Sequence, residues 1–257
     1  MSCNSVNGGN RNGSAPPAAE KTISAPPNHN YPQKITLGST MSTLRTVCLP
    51  LIFAALCTST QAADNRAELN LQTLTAARTG NLKLFQQLID QGASPDTRNR
   101  IGDSILIMAI KNDRLDILKR AIELGADINL ANTAKVTPLM AAAFHGRTGA
   151  ARLLLDKGAD INALDQLNKT AMVYAAGNGQ TAIVEMLLAK GIASDATYPN
   201  QLTALMWAGA YGHLETVQLL ITHGADARLL DNRGKSVLVM AQENDHPEVV
   251  KFLQGNQ

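Results

Sequence analysis

The sequence predicts an all-α solenoid of about six helix-turn-helix units joined by short β-hairpin loops. Three observations predict it. Gly92, Gly125, Gly158, Gly191 and Gly224 recur every 33 residues, four of them followed by Ala and one by Ile192. The same step links Ala76, Ala109, Ala142, Ala175, Ala208 and Ala241, then Ser104, Thr137, Thr170, Thr203 and Ser236, then Leu154, Leu187, Leu220 and Leu253. Aromatic residues make up only 4% of the chain, which disfavours strands. A fixed period of this length marks a stack of supersecondary units, each too small to bury its own apolar face.

The elements follow in order within each unit. Thr137-Pro138-Leu139 opens a first helix, with a capping hydroxyl and a proline at the first helical position. The small Ala142 lets the neighbouring helix approach. Gly146, Gly179 and Gly212 end the first helix or turn it into the next. Ala151, Leu154 and Leu155 give a second helix its apolar face. Gly158-Ala159-Asp160 closes it and leads into a hairpin over 161–169. The units expected are about 68–100, 101–133, 134–166, 167–199, 200–232 and 233–257, with a polar first unit and a truncated last one as caps.

Ahead of this domain (63–257) lie two other segments. Residues 1–40 are rich in Asn, Ser, Gly, Pro and Ala without apolar periodicity. They are expected to be disordered, or to precede the true start at Met41. Residues 41–62 combine a basic start at Arg45, an apolar run from Val47 to Cys57 and a small-residue exit at Ala62-Ala63. This is the pattern of a secretory signal peptide, and the apolar run is too short to cross a bilayer. Export to the periplasm is expected, with no membrane attachment after cleavage.

Composition excludes several function classes. Residues 1–62 carry Arg11, Lys21, Lys34 and Arg45 against Glu20, so the remainder holds 19 basic and 20 acidic residues. A nucleic-acid binder needs a cation excess, so nucleic acid is not an expected partner. Cys3, Cys48 and Cys57 are the only cysteines, and the repeat region has no thiol for disulfides, zinc or nucleophilic catalysis. No phosphate loop, His-Glu-x-x-His or Gly-x-Ser-x-Gly motif occurs. Asp127, Asp160 and Asp226 recur at one turn position, which reads as turn chemistry rather than an acid–base pair. No catalytic residue, metal or cofactor is expected.

The residues Thr137-Pro-Leu-Met-Ala-Ala-Ala-Phe-His-Gly146 and Leu153-Leu-Leu-Asp-Lys-Gly-Ala-Asp-Ile-Asn162 resemble the ankyrin repeat, over about residues 68–255. With the leader, the chain is similar to ankyrin-repeat proteins of the exported bacterial type. One departure stands out. The histidine usual after Thr-Pro-Leu is replaced by Ile107, Met140, Val173, Met206 and Val239, so an apolar ladder is expected where the family has a polar one. The resemblance also implies that His213 and His246 are structural. It implies a concave face, built from hairpin tips and first helices, that grips another protein.

Transferred unit by unit, this face comprises Arg100 and Ile101, Phe144 and His145, Leu167 and Lys169, Asn178, Tyr198 and Leu202, Tyr211, and Arg233. Phe144, Tyr198 and Tyr211 are read as exposed anchors, since aromatics dominate interface hot spots. Tyr174 and Trp207 are read as volume packed between units. An acidic patch on the partner is expected to dock between Arg98/Arg100 and Arg233/Lys235. The function expected is that of a monomeric, non-catalytic module that inhibits, protects or scaffolds another envelope protein. An immunity protein against a delivered toxin is one alternative. An enzyme whose site is invisible in the sequence is another.

Overall fold

A computed structural model describes residues 65–255. The leader expected at 41–62 and the segment 1–40 lie outside the described residues. Residues 65–79 are helical (α1), followed by α2 (Leu82–Asp90). Five short helices then alternate with five longer ones. The short ones are α3 (Ile105–Lys111), α5 (Pro138–His145), α7 (Ala171–Gly177), α9 (Ala204–Ala210) and α11 (Val237–Glu243). The longer ones are α4 (Leu115–Glu123), α6 (Thr148–Asp156), α8 (Thr181–Ala189), α10 (Leu214–Thr222) and α12 (Pro247–Gly255). Each short helix packs on the next short one, forming an inner row from α3 to α11. The longer helices form a second row against it.

Local chemistry explains each boundary. The hydroxyls of Ser104, Thr137, Thr170, Thr203 and Ser236 accept from the amides of Ile107, Met140, Val173, Met206 and Val239 at 3.3–3.4 Å, capping every inner helix in the same way. Ala76, Ala109, Ala142, Ala175, Ala208 and Ala241 are all fully buried, which allows the close helix–helix approach expected of them. At the ends of the outer helices, the amides of Ala126, Ala159 and Ala225 return to the carbonyls of Ala121, Leu154 and Leu220 at 2.9–3.0 Å, closing C-terminal caps. The amides of Asp127, Asp160 and Asp226 donate to Asp96, Asn129 and Asp195 of the preceding unit at 2.8–3.0 Å. The recurring aspartate is thus a turn and inter-unit link.

The apolar ladder forms as expected. Ile107, Met140, Val173 and Met206 are buried between units, and only Val239, in the last inner helix, is exposed, at 36%. Burial of one such side chain is worth about 1.5–3 kcal/mol. His213 and His246 serve the stack differently: each ring Nε2–H donates at 3.0 Å to a carbonyl of the preceding inner helix, Gly177 or Ala210.

The loops are tighter than the hairpins expected. Among the described residues, bridging is limited to the isolated pairs Arg98–Ser104 and Thr197–Thr203. The reason is a side chain. The side-chain oxygens of Asn99, Asn132, Asp165 and Asp231 each accept the amides two and four residues on, at 2.8–3.0 Å. The turn closes on itself, and those amides are not left for a longer ladder. Tyr198 holds the same place in the fourth turn and lacks such an acceptor. A short 3-10 segment, Pro199–Gln201, closes that loop instead.

Candidate functional site

The C-terminal ends of the inner helices and the adjoining turns carry a row of rings across units three to five. Phe144, at the end of α5, is 49% exposed and meets Tyr174 of α7 edge-on, 5.9 Å between centroids. The Lys169 ammonium, on the turn before α7, lies 5.8 Å from the Tyr174 ring centre and 5.0 Å from that of Trp207 in α9. Trp207 stacks on Tyr211 at 6.0 Å with the planes 5° apart, and Tyr211 is 57% exposed. Tyr211 in turn stacks on His213 at 6.5 Å. The result is a continuous strip, Phe144–Tyr174–Lys169–Trp207–Tyr211. Beside it a concavity of about 490 Å³ opens between units five and six, lined by Met206, Trp207, Tyr211, Arg233 and Met240.

Asp165 fixes the centre of the strip. Its Oδ1 accepts the amides of Leu167 and Lys169, both at 2.8 Å, and its Oδ2 accepts the Tyr174 hydroxyl at 2.5 Å. Burial, then the hydrogen bond to Asp165 and its charge, raise the Tyr174 phenol well above its ordinary range. Tyr174 therefore stays a neutral donor.

A second regularity concerns pairs eight residues apart, one on the turn and one near the end of the following inner helix. In unit two Asp103 pairs with Lys111 at 2.6 Å, and in unit six Lys235 pairs with Glu243 at 2.6 Å. In the middle units the corresponding residues are Val136 and Phe144, Lys169 and Gly177, and Leu202 and Ala210. The two ends of the face are closed by ion pairs. At these six places the middle units carry one cation, Lys169, and otherwise uncharged, mostly apolar residues.

The remaining residues named from the sequence are placed as follows. Ile101 (58% exposed) and Leu167 (66% exposed) project from turns, and Arg100 is exposed beside Ile101 on the first turn, outside the strip. Leu202 is half-buried and borders the concavity. His145 is half-buried with its ring 5.0 Å from Phe144. Burial, then the charges of Lys111 and Arg147, hold its pKa below the ordinary value. The Asn178 side chain donates to the Tyr174 carbonyl at 2.8 Å, as Asn112 and Asn244 do to Met108 and Met240 in their own units. His145 and Tyr211 hold the equivalent place in the third and fifth units; Tyr211 faces outward, and His145 rests against the Phe144 ring.

Two readings are corrected. Tyr198 is half-buried against the core rather than projecting, because it fills the inward place that Asp165 and Asp231 occupy elsewhere; burial raises its pKa. The charge clamp is incomplete. Arg233 pairs with Asp231 at 2.7 Å and Lys235 with Glu243, so the far pair of cations is neutralised within the chain. Conversely, Tyr174 and Trp207, read as packing volume, join the strip through their ring faces. Asp165 is a further member of the site; the signal for it in the sequence is the register Asn99, Asn132, Asp165 and Asp231, which keeps a side-chain acceptor at one turn position.

Among the described residues, no group of three His, Cys, Asp or Glu side chains could hold a metal ion, and no helix is long and apolar enough to cross a membrane. The chain matches the family model for ankyrin repeats (three copies) over residues 73–165, 135–198 and 172–257. No curated protein matches it.

Proposed function

The chain belongs to the ankyrin-repeat family, whose repeats are generally protein–protein interaction modules, and from that premise we propose that it is a non-catalytic binding module exported to the periplasm. There it holds another envelope protein and inhibits, protects or scaffolds it. The observation that carries this reading is the strip itself. Phe144 and Tyr211 expose 49% and 57% of their surface in a chain poor in aromatics, and their rings are held in a continuous row. Exposed aromatics in a preorganised row are interface anchors, because little side-chain freedom is left to lose on binding. The leader pattern at 41–62 and the absence of cysteine beyond Cys57 support export into an oxidising compartment. The near balance of charge after residue 62 favours a protein over a nucleic acid as partner.

The test is quantitative capture from the envelope fraction. The double variant Phe144→Ala/Tyr211→Ala is expected to weaken the captured partner by at least about tenfold, since hot-spot truncation exceeds 1 kcal/mol per residue. Lys157→Ala, on the outer row, is expected to leave capture unchanged. Intact mass of the exported protein should place its first residue just after Ala62 or Ala63. Equal capture by the double variant would remove the strip from the reading, and an uncleaved leader would remove the export.

A further inference from the structure

We propose that the strip receives a partner segment that sets an aspartate or glutamate carboxylate, flanked by apolar side chains, onto the Lys169 ammonium. The proposal rests on the strip being the protein-binding face and adds the chemistry of what it takes. Lys169 occupies the same register as Lys235, and Lys235 is neutralised by Glu243 eight residues on. Eight residues beyond Lys169 stands Gly177 at the end of α7, so the internal counter-charge is missing. Asp165, the acid on the same turn, is turned to two amides and the Tyr174 hydroxyl and makes no ion pair with Lys169. No ion pair of the chain involves Lys169 among the described residues.

Ring faces hold the ammonium in place. Tyr174 and Trp207 lie 5.8 and 5.0 Å from it and shield it in part from water, but their quadrupoles do not cancel its charge. An ammonium held this way keeps N–H donors for an acceptor arriving from outside, and a carboxylate forms the stronger, charge-assisted bond. The neighbours of that acceptor meet Phe144 on one side and Leu202 and Tyr211 on the other, so the flanking residues should be apolar.

Trp207 is the single tryptophan of the chain and sits in the strip, so its emission reports occupancy directly. The probes are an acetylated, amidated peptide with one Glu between Leu and Phe residues, its Gln analogue, and the Gln analogue with a free C-terminal carboxylate. On the intact exported protein, the Glu peptide is expected to change Trp207 emission at concentrations about tenfold lower than the Gln peptide, the ratio a charge-assisted hydrogen bond carries. Lys169→Met keeps the stem over the rings and should abolish that preference. Gly177→Glu should abolish it too, by recreating the Lys235–Glu243 arrangement. A Cβ at Gly177 meets Trp207 and Tyr211 only at 3.6 and 4.0 Å, ordinary contact distances, so the first side-chain atom enters without a clash and the fold is expected to hold. Circular dichroism of both variants checks this.

Equal responses to the Glu and Gln peptides, or a preference that persists in Gly177→Glu, overturn the proposal. A preference for the free C-terminus assigns the place to a chain end and overturns it as well. No response to any peptide does the same. Equal peptide responses that vanish in Phe144→Ala/Tyr211→Ala would leave the protein-binding reading standing without the carboxylate.

Discussion

Asp165 shows how one side chain can serve both the stack and the strip. Asn99 and Asn132 hold the same place in earlier turns and accept the same two amides, so an amide oxygen suffices for turn closure. Only at Asp165 does the second oxygen also accept a tyrosine hydroxyl, which orients Tyr174 beneath Lys169. Asp165→Ala leaves two amides and the hydroxyl without their acceptor in a buried place. It is expected to cost about 1–3 kcal/mol, read by urea unfolding. Asp165→Asn should cost less than half as much, because Oδ1 still accepts both amides and the side-chain NH2 can donate to the Tyr174 oxygen once the hydroxyl proton turns away. A cost for Asn equal to that for Ala would mean that the negative charge, not the acceptor, holds the turn. This residue was hidden in the sequence by its ordinariness: an acid in a repeat turn reads as turn chemistry, and the hydroxyl that meets it lies on the next helix.

At the scale of elements, the ladders told most. The capping hydroxyls, the buried alanines and the outer-row leucines each follow from 33-residue spacing plus one local rule. What was not legible depends on pairs of side chains rather than single positions. The Lys235–Glu243 and Asp103–Lys111 pairs use opposite polarity in one register, so neither repeats as a residue type. Arg233 was read as free because its partner, Asp231, is part of the turn that presents it. Glycines can be sorted in the same physical way. Gly158 is left-handed (φ +83°) with open space where a Cβ would go. Gly102 is left-handed (φ +79°) and would place a Cβ 2.8 Å from the backbone nitrogen of Thr133 in the next turn. Thr133 cannot easily retreat, since its hydroxyl donates to the Ile101 carbonyl at 2.8 Å. Gly158→Ala is therefore expected to cost about 1 kcal/mol, the left-handed penalty alone. Gly102→Ala should cost about 1–3 kcal/mol more through overpacking. Parallel urea titrations decide it, and equal midpoints would show that the neighbouring turn yields freely.

The described repeats behave as a one-dimensional stack, in which each unit contributes its own stability and that of its interfaces with its neighbours. The sixth unit has a particular role because it covers the fifth and walls the concavity. Its inner helix α11 contributes Met240 and Glu243 beside Trp207 and packs on α9, and His246 donates to the Ala210 carbonyl. Its own ladder residue, Val239, is 36% exposed, whereas Met206 beneath it is 2% exposed. Removing residues 233–257 should therefore shift the end of the stack back by one unit without unfolding the rest. Met206 would then take the exposed place, at a cost of about 1.5–3 kcal/mol for that side chain alone. Two readouts separate the consequences. The far-ultraviolet signal should keep the helices up to α10 and melt at lower urea. Trp207 emission should move to longer wavelength, because the concavity loses one wall. The strip from Phe144 to Lys169 would be untouched, so a partner that leans on that half should still be captured while one that fills the concavity should not. A truncated chain that loses all helical signal would show that stability is pooled across the units rather than passed between neighbours. Unchanged Trp207 emission would mean that unit six does not shield the ring it lies beside.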